Sequence, residues 1–405
     1  MKNALVSGAG IAGPALAYWL HRYGFDVTLV ERAPAIREGG YAVDVRGPAL
    51  DVLDRMGLLA EVRRQNTDTL ATSFVDRNGK RAATMDRGFG VIDAGDVEIM
   101  RGDFVRILYE VTKRHVNYLF SDVITSLKQR DSGVHVTFER SVPRTFDVVI
   151  GADGLHSNVR RLAFGDESEF MHHLGSYMAI FSAPNHMALD RWQLMLNLPG
   201  RIVSIKTTRG NAEVKVTAFF SSPPIRYDYR DLLHQKRLTA EAFADAGWEI
   251  PRLLAAMHGA PDFYFDSTSQ IRLPSWSRGR VTLVGDACVG PSPLTGQGTS
   301  LALVGAYVLA GELARASGDH EVAFARYEAE VRAFAERNQA SAAGIARGFA
   351  PQTPRGIWWR NLNFKLLPYI PWRNLVFKLA MRGIANAAKA ITLSDYSTSS
   401  YPPAP

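Results

Sequence analysis

The chain has 405 residues, 46% hydrophobic and 21% charged, an ordinary globular balance with room for two or three domains or one large composite unit. Its single cysteine, Cys288, excludes an internal disulfide framework and fits a reducing cytoplasm, and the absence of any run of about 18 apolar residues excludes a spanning helix, so no stable membrane insertion is expected. The formal charge of +7 reads as spread along the chain without a dense basic arm, which argues against nucleic acid as a partner and suits an enzyme that attracts anionic cofactors.

In chain order, "NALVSGAG" is a short apolar strand that runs into glycines, without the pattern of a signal peptide. A helix is predicted next from the spacing of Ile11, Ala15, Leu16, Trp19 and Leu20, with Gly24 ending it, and "DVTLVER" is a second strand. These make a β-α-β unit. A short helix is predicted over 47–57, a strand-turn-strand over 71–85 around "DRNGK", and a helix from Arg101 on Phe104, Val105, Leu108 and Val111. "GVHVTFE" and "FDVVIGADG" read as strands. Residues 166–269 alternate and turn like an antiparallel sheet, and "RVTLVGDA" is a buried strand before a mostly apolar helix. Residues 320–347 are helical. The segment after them alternates apolar stretches with spaced Arg and Lys; it is expected to pack across the protein with its basic residues in water, the alternative being a membrane surface. A tail over 396–405 is expected to be disordered.

The fold class is α/β. The expected division is a discontinuous Rossmann-like dinucleotide domain (1–70, 97–165 and 270–348), a β-rich substrate domain (71–96 and 166–269), and a C-terminal helical segment (349–395).

"GAGIAG" places glycines at 8, 10 and 13. Gly8 permits the tight turn from strand to helix, Gly10 lets the backbone approach a pyrophosphate, and Gly13 lets helix and strand pack closely. Alone the pattern is weak, but a strand precedes it, a helix follows, and Glu31 ends the next strand at the spacing of a ribose-binding acid. Its carboxylate would repel a 2′-phosphate, so FAD or NAD is favoured over NADP here. Two later strands, "DVVIGADGLHSNVRR" and "RVTLVGDA" followed by "PSPLTGQG", end in Asp153 and Asp286. Each aspartate reads either as a strand-end turn residue or as a carboxylate with a bound partner, since an unpaired buried charge is costly. Ser157 and Arg160 read either as part of a binding motif or as residues that cap and solubilise a helix.

Together the three segments, in this order and with a β-rich stretch between the second and third, resemble the single-component FAD-dependent aromatic hydroxylases typified by para-hydroxybenzoate hydroxylase. The resemblance covers roughly residues 3–345. It implies noncovalent FAD, held by Gly8, Gly10, Ala12, Gly13, Glu31 and Arg32 at the adenosine diphosphate, and by Arg101 at the start of its helix. It implies Asp153, Gly154, Ser157 and Arg160 as a motif linked to FAD and NADPH binding. Gly285 and Asp286 would serve the ribityl hydroxyls, Pro293, Gly296, Gln297 and Gly298 the ring, and Arg46 would lie near the flavin. NADPH or NADH would visit without a domain of its own, and O2 would react with the reduced flavin to a C4a-hydroperoxide that hydroxylates an aromatic or polycyclic polyketide molecule, as in antibiotic modification. The alternatives are an oxidase or reductase on the same scaffold, or a flavin-binding sequestration protein.

The family's frequent histidine is Val289 here, a frequent asparagine is Ser300, and Leu294 stands where tetracycline-degrading relatives tend to carry an aromatic residue. Cys288 takes a position usually filled by alanine, as a small buried thiol can. Tyr177, Phe181, Met195 and Phe219, with Pro293 and Leu294, are the candidates for substrate contact, although such residues also fill ordinary sheet cores. No catalytic side chain is singled out, and no metal is expected, because the adjacent His172 and His173 point to opposite faces of a strand. A monomer or weak dimer is expected.

Overall fold

The structure is a computed structural model that describes residues 2–37, 39–86, 95–208, 210–372, 379, 382–383 and 385–396. The strand Asn3–Ser7, the helix Ala12–Arg22 and the strand Asp26–Glu31 open a mainly parallel six-stranded sheet. Its order is Ser277–Arg278, Val281–Leu283, Val148–Gly151, Asn3–Ser7, Asp26–Glu31, Asn117–Phe120. Strands buried on both faces read as continuous apolar runs, and "VVIG" and "VTL" are buried at every position. The helix Gly298–Arg315 is buried from Thr299 to Ala314, which is why its sequence is apolar on every side. It packs on Ala12–Arg22 and beneath the long helix His320–Phe349.

The second large element is a seven-stranded sheet in the order Tyr264–Ile271, Met171–Pro184, Glu213–Ser221, Arg201–Thr208, Trp192–Leu198, Ala71–Val75, Arg81–Asp86. All pairs are antiparallel except Trp192–Leu198 with Ala71–Val75. Its register decides what each face does. Tyr177 pairs Phe220, Leu194 pairs Ile205 and Val203 pairs Ala218, and all six enter one apolar cluster with Leu253 and Met257 of the helix Ile250–Gly259. The residues between them point the other way. There Lys206 reaches Glu98 at 2.5 Å, on the two-stranded ribbon Ala42–Val45/Val97–Met100, and Asp266 reaches His156 at 3.0 Å. This second face therefore looks at the parallel-sheet body.

The helix Pro354–Leu366 crosses the far edge of the wide sheet, with the Phe364 ring stacked on Phe74 at 4.6 Å. The tail expected from 396 needs a correction at its first residue. Tyr396 is fully buried; its hydroxyl donates to Glu312 at 2.8 Å and its ring covers Gly311. Residues 397–405 lie outside the described residues, as do 87–94 within the 71–96 stretch.

Candidate active site

The first loop is held by backbone geometry. Gly8 has φ +106°, and a methyl group on Gly13 would stand 1.9 Å from the Gly8 carbonyl oxygen, so neither position tolerates a side chain. The helix that follows has no side-chain cap on its first turn, which leaves backbone N–H groups for an anion. Ala9 N–H donates to Glu31 Oε2 at 2.7 Å and Ala33 N–H to Oε1 at 2.9 Å. Each oxygen keeps a lone pair, enough to accept a vicinal diol. Arg32 is exposed beside it.

Distant segments meet this loop or adjoin those that do. The Arg101 guanidinium lies 3.6 Å from where a Gly10 methyl would be, and Arg101 N–H donates to the Tyr41 carbonyl at 2.9 Å. Gly285 packs on Ala12, with 3.3 Å between its added Cβ and that of Ala12. Asp286 lies beside Gly298 and opens onto accessible space; protein atoms around it raise its carboxyl above the usual value, while Arg101 opposes this. Gly296 is left-handed at φ +64°, and a Cβ there would stand 2.8 Å from Asp44 Oδ2 and 3.6 Å from Arg46. Pro293 is exposed and Leu294 half-buried on the same loop.

Arg46 pairs with Asp44 at 2.7 Å and lies 3.7 Å from Asp96. Ser300, the replacement for asparagine, is fully buried and accepts Arg46 N–H at 3.1 Å, so it fixes the strand end that carries the arginine. Asp44, which sequence reasoning missed, is pushed up to about 6 by burial despite Arg46. Gln297 is fully buried, with both amide atoms lacking a hydrogen-bond partner. An amide rarely stays so unless something else satisfies it.

The second motif is tied into the protein by its own hydrogen bonds. Asp153 Oδ2 accepts Asn158 N–H at 3.0 Å and Val159 N–H at 3.1 Å, and Oδ1 accepts the Ser157 hydroxyl. Ser157 in turn caps Arg160 N–H at 3.0 Å. Arg160 is fully buried, and its guanidinium donates to the Ala287 carbonyl at 3.0 Å, the Leu155 carbonyl at 2.6 Å and Glu167 at 2.7 Å. These side chains cap a helix and strap the second motif to the third, which fixes the loops in place. Gly154, at φ +79°, makes the turn between them. His156 bridges Glu167 at 2.8 Å and Asp266 at 3.0 Å. Burial pushes its imidazole down, but the two carboxylates outweigh this and raise it to about 10.

The substrate candidates divide by register. Tyr177 and Phe181 are core residues under the Ile250–Gly259 helix, on the face turned away from the nucleotide loop, and their expected substrate contact is corrected. Met195 and Phe219 are half-buried on the facing side. That side also carries Asn197, 5% exposed, with neither amide atom hydrogen-bonded. The only sequence signal for it was an amide inside the apolar run "LMLNL". Val289 and Cys288 are buried; the thiol lies 3.3 Å from the Gly285 carbonyl and is pushed up by burial, so it is inert packing. Among the described residues no group of three His, Cys, Asp or Glu side chains is placed to hold a metal, and no helix is long and apolar enough to cross a membrane.

A diol acceptor, a helix N-terminus, an arginine, an open aspartate and an orphaned buried amide lie along one path from nucleotide loop to wide sheet. That donor set suits a flavin dinucleotide, and the class it defines is a flavoprotein oxidoreductase of the para-hydroxybenzoate hydroxylase fold. Residues 1–342 match the FAD binding domain family, and the chain belongs to it. It is similar to the uncharacterized protein Rv1260 of Mycobacterium tuberculosis (strain ATCC 25618 / H37Rv), 49% identical over 87% of this chain and 95% of that protein. It is similar to a flavin-dependent monooxygenase of Legionella longbeachae serogroup 1 (strain NSW150), 40% identical over 85% of this chain and 89% of that protein. Among solved structures, tetracycline destructase Tet(51) aligns with a TM-score of 0.86 and 35% identity over 98% of this chain and 100% of that one. The chain is an FAD-dependent monooxygenase.

Proposed function

We propose that this monooxygenase hydroxylates a flat polycyclic molecule of the aromatic or polyketide kind, held between the Pro293–Gly298 loop and the inner face of the wide sheet. The observation that carries it is that face: Met195 and Phe219 offer half-buried apolar area around the unsatisfied amide of Asn197. A ring system with carbonyl or hydroxyl groups would satisfy that amide and cover the apolar surface. The similarity to a tetracycline destructase supports the same substrate class.

We assign FAD to Gly8, Gly10, Gly13 and Glu31 at the adenosine end, to Arg101 and Asp286 in the middle, and to Arg46, Gly296 and Gln297 at the ring. Bound there, the flavin supplies electron transfer from NADPH or NADH and activation of O2. The chain's own residues would place it: Gly296 and Gly298 leave room for a close approach of the backbone, and Arg46, held by Asp44 and by Ser300, would present N–H donors to the ring. The division at 70, 97, 165, 270 and 348 is the domain arrangement that goes with this reading, and a cytoplasmic monomer or weak dimer is its setting.

The test is a panel of tetracyclines and simpler aromatic acids, followed by NADPH and NADH oxidation and by mass spectrometry for one added oxygen. Oxidation that rises several-fold with a polycyclic ligand and yields the oxygenated product supports the proposal. Brisk turnover with simple aromatic acids alone rejects the polycyclic class.

A further inference from the structure

The charge of the chain is less evenly spread than its sequence first suggested. Residues 337–394 contain nine Lys and Arg and no Asp or Glu. The remaining residues carry 38 basic against 40 acidic side chains, so the whole positive excess lies in the C-terminal segment. That segment also holds the largest exposed aromatics. Trp358 and Trp359 are 58% and 59% exposed on the helix Pro354–Leu366; Tyr369 and Trp372, just beyond it, are 82% and 63% exposed.

The helix is two-sided. Ile357, Asn361 and Phe364, at helical spacing, are the half-buried side, with Phe364 on Phe74 of the wide sheet. Arg355, Trp359 and Leu366 are exposed on the other. Exposed tryptophans and tyrosine interleaved with basic residues match the headgroup zone of a bilayer, where an amphipathic ring and a cation are both accommodated. A nucleic acid would use the charges but would leave Leu366 and Leu379 without a partner.

We propose that the helix Pro354–Leu366 and the turn after it dock this enzyme peripherally on an anionic phospholipid surface. The bilayer supplies negative headgroups to a segment without acids and a boundary layer for aromatics that water solvates poorly. Nothing inserts across the bilayer; the helix lies flat, its inner side still packed on the sheet. This docking stands on charge and exposure, independently of which molecule is oxidised.

The experiment is co-sedimentation of the full-length, FAD-loaded protein with vesicles of phosphatidylcholine alone and of phosphatidylcholine with phosphatidylglycerol. Wild type should partition onto the anionic vesicles at least tenfold better, and less as salt rises. Trp358→Ser with Trp359→Ser, and separately Arg355→Gln with Lys365→Gln, should each weaken partitioning about tenfold. Both should keep the wild-type FAD content and melting temperature. Failure of wild type to bind anionic vesicles overturns the proposal, as does equal binding by the variants. So does a wild-type dimer that the tryptophan pair dissolves, or retention of an oligonucleotide without vesicle binding; either reassigns the surface.

Discussion

At the scale of single residues, the site is a set of charges whose partners are fixed by distance. Asp286 is crowded enough to raise its carboxyl, yet open to accessible space. Asp286→Ala should therefore lower FAD affinity roughly tenfold or more by removing a hydrogen-bond acceptor, measured by equilibrium titration of the stripped protein with FAD. Unchanged affinity would remove the residue from the site. His156 makes a second test. Its folded value, about 10, lies above that of a free imidazole, so its stabilisation is full below about 6.5 and is lost as pH rises through 10. His156→Gln should destabilise the protein by a few kcal/mol at pH 6, with the gap to wild type narrowing by pH 10, read from denaturant midpoints at both pH values. Glu31 was legible from its spacing at the end of the second strand, and Arg101 and Asp286 from the resemblance of their motifs to the FAD-dependent hydroxylases. Asp44, Asn197 and the His156–Asp266 pair were not, because their meaning comes from partners far off in sequence: Gly296 for Asp44, the opposite sheet face for Asn197, and a strand 110 positions away for His156.

At the scale of elements, close packing sets the tolerances. A side chain at Gly13 would overlap the Gly8 carbonyl. Gly13→Val should shift the Ala12–Arg22 helix off the first strand, and the purified protein should emerge with little FAD and a lower melting temperature, checked by flavin absorbance and thermal unfolding. Retained flavin would mean that the loop relaxes without moving the helix. The wide sheet shows where element-level reading from sequence stops. Tyr177, Phe181, Met195 and Phe219 all alternate in strands, so all four looked equally placed for a substrate. Alternation says that two faces exist; register and the helix packed on one of them decide that Tyr177 and Phe181 are core. Asn197→Leu belongs here too. Replacing an orphaned amide on the inner face should stabilise the fold slightly while raising KM for a polycyclic substrate several-fold with less change in kcat. An unchanged KM would exclude Asn197 from substrate binding.

Over the whole molecule, the chain ends hold the architecture closed. Lys2 donates to the Gly318 carbonyl at 2.6 Å, and Tyr396 fills the space against Gly311 while bonding Glu312. Tyr396→Ala should cost about 3 kcal/mol or more, as removal of a buried aromatic does, measured by urea unfolding. A loss within experimental error would show that the C-terminal strap is optional. The sequence by itself determined the nucleotide loop and the apolar strands and helices around it, because each depends on backbone turns and burial that neighbouring residues dictate; the cofactor followed from the resemblance that three ordered motifs carry. Only the tertiary structure decided which sheet face looks toward the nucleotide loop, that Arg160 straps the second motif to the third, and that Tyr396 is core. Those outcomes depend on contacts between segments distant in sequence, such as Tyr396 with Glu312 and Arg160 with Ala287, and such a contact leaves no period in the chain.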